Sequence, residues 1–106
     1  MDAGQFHRAC LASWYRVGAY QEGRLVGLGR VISDGVLHGL VVDVIVVPEL
    51  QGQGIGRGIM QRLLARCREA GLRDVQLFCA RGKADFYRQL GFRDRPGDAP
   101  GMDLAR

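Results

Sequence analysis

Apolar and polar positions along this chain change their period several times, and each change predicts an element. Residues 5–13 suit a short helix, after which residues 14–20 alternate large and small side chains in the manner of a strand. Gln21-Glu22-Gly23 reads as a tight turn, residues 24–32 as the returning strand, and Ser33-Asp34-Gly35 as a second turn. Residues 36–47 then form a long third strand, so the three make an antiparallel meander. Residues 41–47 are apolar on both faces apart from Asp43, which places this strand at the centre of a sheet covered on both sides.

The period then lengthens. Ile55, Ile59, Met60, Leu63, Leu64 and Cys67 recur at helical spacing, with Arg57, Gln61, Arg62, Arg66 and Arg68 on other faces, which predicts a packed amphipathic helix. Gly71 after Ala70 marks its C-cap, and residues 75–79 return as a buried strand parallel to the long one. Residues 83–90 read as a short helix stopped by Gly91, Phe92 begins a last extended stretch, and Pro96, Gly97, Pro100 and Gly101 mark a turn. This order predicts one domain over residues 1–106, of the α/β class in its α+β form. Its sheet is mixed and largely antiparallel, with one parallel strand pair and flanking helices.

A glycine-rich turn joins the long strand to the amphipathic helix, with glycines at 52, 54, 56 and 58. Such a turn lets backbone approach an anion closely, and the first amides of the helix are unsatisfied donors at its positive end. The spacing of Gly52-Gln53-Gly54-Ile55-Gly56 does not fit the dinucleotide fingerprint G-x-G-x-x-G. Arg57-Gly58 stands where a nucleotide-triphosphate loop needs lysine and a hydroxyl. The segment instead resembles the acyl-CoA loop of the GNAT superfamily of N-acyltransferases, whose pattern Q/R-x-x-G-x-G/A is met by Gln51, Gly54 and Gly56. A second segment, Ala84-Asp85-Phe86-Tyr87-Arg88-Gln89-Leu90-Gly91-Phe92, resembles that family's later A-x-x-F-Y-x-x-x-G-F signature. One helix and one strand must lie between the two motifs, and residues 59–80 supply both. The resemblance covers residues 14–106.

The resemblance implies a fold in which the central strand splays from its parallel neighbour and its free backbone groups hold the pantetheine arm of acetyl-CoA. Carried over, that role falls on the main chain around Ile45, Val46 and Val47, with Ile45 and Val47 supplying the groups. The pyrophosphate falls to the amides of Gln51, Gly52, Gln53, Gly54, Ile55, Gly56 and Arg57. Tyr87 stands where the family's tyrosine gives a proton to the departing CoA sulfur, and a phenol is protonated at neutral pH. Asp43 is the one ionisable group in residues 41–47, and is read either as a general base or as the partner of an arginine. His38 has a suitable reference pKa for a base but also suits a plain strand position, and water relay to bulk needs no base at all. Phe86 is assigned to the core and Cys79 to a small buried hydrophobe. Arg81 departs from the asparagine that several family members carry at about this point, and is placed to reach a CoA phosphate.

Composition narrows the partners. The formal net charge is +4, and of 15 basic residues only Lys83 is a lysine; arginine suits bidentate phosphate contacts. The arginines are scattered from Arg8 to Arg106 without a basic tract, which argues against nucleic acid. Cys10, Cys67 and Cys79 are odd in number with no C-x-x-C spacing, so neither a disulfide framework nor a metal site is expected, and a reducing cytoplasm is the expected location. No apolar stretch approaches the roughly 20 residues a membrane helix needs, and the N-terminus does not read as a signal peptide. Only 13 residues precede the first strand, where family domains carry acceptor-walling helices, and this predicts a homodimer that covers the exposed surface. The sequence therefore predicts an N-acetyltransferase that moves acetyl from acetyl-CoA to a primary amine by direct attack. The alternative is a CoA-binding or regulatory module of the same fold.

Overall fold

The computed structural model describes residues 2–105. Helix α1 (Ala3–Ala12) opens on a capping box in which the Asp2 carboxylate accepts from the Gln5 N–H at 2.7 Å and the Gln5 side chain accepts from the Asp2 N–H at 2.9 Å. It starts two residues before the expected boundary, because the polar Asp2 caps it. Strands β1 (Tyr15–Gln21), β2 (Arg24–Ser33) and β3 (His38–Val46) form the antiparallel meander, and β4 (Asp74–Leu77) pairs in parallel with β3. The sheet order is β1-β2-β3-β4, so β3 is internal as expected, but it is not covered on both sides: Ile45, on the face away from α2, is 53% exposed. Between β3 and β4 lie a 3-10 turn over Pro48–Leu50 and helix α2 (Ile55–Ala70); helix α3 (Ala84–Gln89) follows.

The turn between β2 and β3 delays the start of β3 to His38. Asp34 Oδ1 accepts from the N–H groups of Val36, Leu37 and His38, and these bonds hold its carboxyl below the ordinary aspartate range. Strand β4 lies at the sheet edge with none of its residues fully buried, contrary to the buried strand expected, and it ends at Leu77, so Phe78 and Cys79 lie beyond it and are exposed. Phe92 is followed by no further strand among the described residues. The expected turn is there: Ala99 N–H donates to Pro96 O at 2.9 Å and Arg95 Nε to Ala99 O at 2.7 Å.

Helix α2 lies across one face of the sheet and supplies most of the core. Ile59, Met60, Leu63, Leu64 and Cys67 are buried against Val31 and Val41, while Tyr15, Val17, Val44, Val46 and Phe86 pack partly around them. Complete burial of side chains such as Met60 and Leu63 contributes about 1.5–3 kcal/mol each. The helix comes close because β2 offers glycines under it. A Cβ on Gly27 would meet Ile59 Cδ1 at 2.9 Å, and one on Gly29 would meet Ile59 Cγ2 at 2.6 Å. The helix ends at Gly71, whose φ of 71° suits a left-handed cap. Helix α1 serves the opposite face, where Arg16 Nη1 donates to Cys10 O at 3.1 Å.

Candidate functional site

Strand β3 is not regular, and its irregularity builds the site. Leu28 pairs with Ile45 and Arg30 with Val42, so two residues, Asp43 and Val44, stand opposite Gly29. This is a β-bulge, and Asp43 occupies it at φ 55°, a left-handed conformation that aspartate tolerates better than most residues. Before the bulge Val41 faces α2; after it, Val44 and Val46 do, with Val44 touching the Gly29 position and Val46 the Gly56 position. Ile45 is turned to the other face and is 53% exposed.

The same slip reverses which backbone groups point toward β4. Val47 N–H donates to Val26 O at 2.9 Å, so Val47 faces β2, and Ile45 pairs with Leu28 on that side as well. Peptide groups alternate along a strand, so those of Val44 and Val46 point away from β2. Pairing of β3 with β4 stops at Val41 and Leu77, beyond which the strands part and leave these groups without a strand partner. The free peptide groups expected at Ile45 and Val47 are placed differently by this geometry: the groups that point away from β2 are those of Val44 and Val46. Unbroken alternation would have favoured the odd-numbered pair, and the bulge inserts one residue.

Val44 and Val46 line a cleft of about 370 Å³ with Leu50, Gln51, Gly52, Gly54, Gly56, Arg57, Ala80, Lys83, Phe86 and Tyr87. Its floor is the glycine-rich turn. Gly52 and Gly54 have φ of 80° and 87°, and a Cβ at either would meet nothing within 4 Å, so conformation rather than space requires glycine. Gly54 caps α2, and the first bond of the helix runs from Gly58 N–H to Gly54 O at 3.0 Å. The N–H groups of Ile55, Gly56 and Arg57 precede that bond and have no place in the helical ladder. Gln51 reaches back across the cleft, its Nε2 donating to Val46 O at 3.0 Å. Gln53 is exposed on the turn.

Tyr87 stands on α3 at the far wall, half-buried, with Phe86 5.0 Å away and Phe92 6.0 Å away, both edge to face. Burial raises its pKa above the ordinary value of 10.0, with a smaller electrostatic contribution from the neighbouring Cys79. The phenol is therefore held as a proton donor. Phe86 packs at the Gly56 position and against the core, as expected.

Other expected residues fall elsewhere. His38 opens β3, 63% exposed, with Nδ1 2.8 Å from Asp74 Oδ1. At about 3.3 Å per residue it lies roughly 20 Å along the strand from Val44, too far to reach the cleft. Cys79 is exposed rather than buried, because β4 ends two residues before it. Arg81 is exposed in the turn before α3 and does not line the cleft; Lys83 does. Asp43 accepts from Arg30 Nε at 2.8 Å, so the arginine reading of this residue is realised. Sequence reasoning missed Val44, Leu50, Ala80 and Lys83 as lining residues. An acidic residue that interrupts an otherwise apolar strand was the available signal for the bulge.

The Acetyltransferase (GNAT) domain matches residues 13–94 of the chain. The chain is 40% identical over 84 residues to serotonin N-acetyltransferase 2, chloroplastic, of Oryza sativa subsp. japonica, which covers 79% of this chain and 42% of that protein. It is 35% identical over 82 residues to GCN5-related N-acetyltransferase 2, chloroplastic, of Arabidopsis thaliana, covering 77% of this chain and 32% of that protein. It thus spans less than half the length of either. Among solved structures, a GNAT-family acetyltransferase from Streptococcus pneumoniae superposes with a TM-score of 0.86 at 30% identity, over 99% of this chain and 80% of that one. A protein of unknown function from meticillin-resistant Staphylococcus aureus gives a TM-score of 0.90 at 26% identity, over 100% of this chain and 81% of that one. Both expected motifs lie within the matched span, and the chain belongs to the GNAT acetyltransferase family.

Proposed function

We propose that this chain transfers acetyl from acetyl-CoA to a primary amine by direct attack of the amine on the thioester. The observation that carries the reading is the cleft. It joins a glycine-rich turn at a helix N-terminus, two strand residues whose peptide groups lack a strand partner, and a protonated phenol. These match the three demands of a CoA thioester: a diphosphate, an amide-bearing arm and a thiolate that must leave protonated. Free N–H groups at the start of α2 receive the diphosphate, with Arg57 and Lys83 adding positive charge at the rim. The peptide groups of Val44 and Val46 pair with the arm, which requires the Gln51 amide to give up Val46 O.

In the reaction the amine nitrogen forms a bond to the acetyl carbonyl carbon and the carbon–sulfur bond breaks. Tyr87 gives its proton to the sulfur, and the nitrogen loses one to water, which restores the phenol through solvent. Products are the N-acetylated amine and free CoA thiol. No group of this chain is required to form a covalent intermediate.

The test is acetyl-CoA-dependent thiol release across a panel of amines. Serotonin belongs in the panel because the rice relative is named for it, and a histone peptide because a Glycine max relative, 33% identical, is named a histone acetyltransferase. Release with at least one amine, and none without amine, supports the enzyme. CoA binding without turnover on any amine favours the binding-module alternative.

A further inference from the structure

We propose that Arg30 and Asp43 are positioning residues that hold the β3 bulge and so set which peptide groups face the cofactor cleft. The inference rests on the acetyl-CoA reading of that cleft and assigns Asp43 a role other than general base. Arg30 is the more buried partner, its side chain 13% exposed against 35% for Asp43. It makes three bonds at once. Nε donates to Asp43 Oδ2 at 2.8 Å, while Nη1 donates to Ser13 Oγ at 3.2 Å and to Ala9 O at 3.5 Å. Ser13 Oγ also donates to Ala9 O at 2.9 Å. The guanidinium thus ties the bulge to the C-terminal end of α1, where the helix presents its negative pole to a cation.

The consequence for the cleft follows from strand alternation. If Asp43 leaves its left-handed conformation, β3 returns to regular pairing and moves by one residue. The peptide groups of Ile45 and Val47 would then face β4, and those of Val44 and Val46 would turn to β2. The ion pair resists that slip, since an unbound Arg30 would be left largely buried without its carboxylate. A general base would need its carboxylate free to take a proton from the amine. Here the carboxylate is bonded to a cation on the sheet face opposite α2.

Four proteins test this: the parent, Asp43→Asn, Asp43→Gly and Arg30→Met. Asparagine keeps both the left-handed tendency and an acceptor for Arg30; glycine keeps only the backbone freedom. Two readouts are taken, amide chemical shifts of Val44 and Val46 without ligand, and CoA affinity by calorimetry. The proposal expects Asp43→Asn to match the parent in both, with an unchanged pH profile of kcat/KM. Asp43→Gly and Arg30→Met should shift the amides and weaken CoA by about tenfold or more. Unmoved amides and parental affinity in Asp43→Gly would overturn the proposal even if Arg30→Met does not fold. So would an Asp43→Asn protein that binds CoA normally but loses turnover and the acidic limb of its profile, the signature of a base. Shifted amides in Asp43→Gly, beside a parent that binds no CoA, would retain the bulge device and reject the cofactor assignment instead.

Discussion

Tyr87 is where a single group matters most to the chemistry. Its ring packs between Phe86 and Phe92, so substitution by phenylalanine keeps the packing and removes the proton. Turnover by Tyr87→Phe should fall by about 10²-fold or more with CoA affinity little changed, as for a lost general acid. Steady-state kinetics beside calorimetry checks this, and equal turnover would assign the residue to packing. The pH profile gives a second reading of the same group. Its pKa is raised above the ordinary 10.0, so the phenol is still mostly protonated at that pH and is a donor at neutral pH. The midpoint of the turnover loss attributable to Tyr87 should therefore lie above pH 10.0, measured as an alkaline limb that disappears in the phenylalanine variant. The position of Tyr87 was legible from its motif. The partner of Asp43 was not, because Arg30 lies 13 residues away and only strand pairing brings the two together.

At the scale of elements, period and turn chemistry located the α-helices and strands of the described residues but not the 3-10 turn over Pro48–Leu50, and the boundaries moved with local bonds. Asp2 drew α1 forward, and the Asp34 turn held β3 back to His38. What patterning could not show was close approach. Gly27 and Gly29 are the floor on which α2 rests. Replacing Gly29 by alanine would put a methyl 2.6 Å from Ile59 Cγ2 and 3.0 Å from Leu63 Cδ1. That overpacking should cost about 1–3 kcal/mol. Each kcal/mol corresponds to about 4–8 °C for a domain near this size. An unchanged melting temperature in Gly29→Ala would mean that α2 can lift without loss. The bulge was hidden for a related reason: apolar residues on both faces of residues 41–47 gave no alternation from which a one-residue slip could be read.

At the scale of the molecule, the two faces of the sheet are unequally covered. One carries α2 and the core; on the other, Ile32, Ile45, Tyr20 and Leu25 are about half exposed or more. A large exposed apolar area commonly marks an interface, and twofold self-association is its most frequent form. This chain is accordingly expected to self-associate. Light scattering across a dilution series should give twice 11.7 kDa at micromolar concentration, and a single-chain mass throughout would leave that face for an acceptor instead. Fold and family were legible in the sequence because two motifs with a helix and a strand between them leave little freedom in topology. The amine acceptor was not, because the recognised motifs lie around the cofactor cleft and leave the acceptor side unspecified.

The account turns on the cleft between β3, the glycine turn and α3 being a CoA site. Calorimetric titration of CoA into the parent and into Gly54→Val tests this most directly, because position 54 has φ 87° and open space around it. A β-branched side chain strains the backbone there without clashing. The account predicts saturable one-to-one binding by the parent, and loss of that binding in a variant that still melts cooperatively. No heat of binding in the parent at millimolar CoA, or equal affinity in the two proteins, would contradict it.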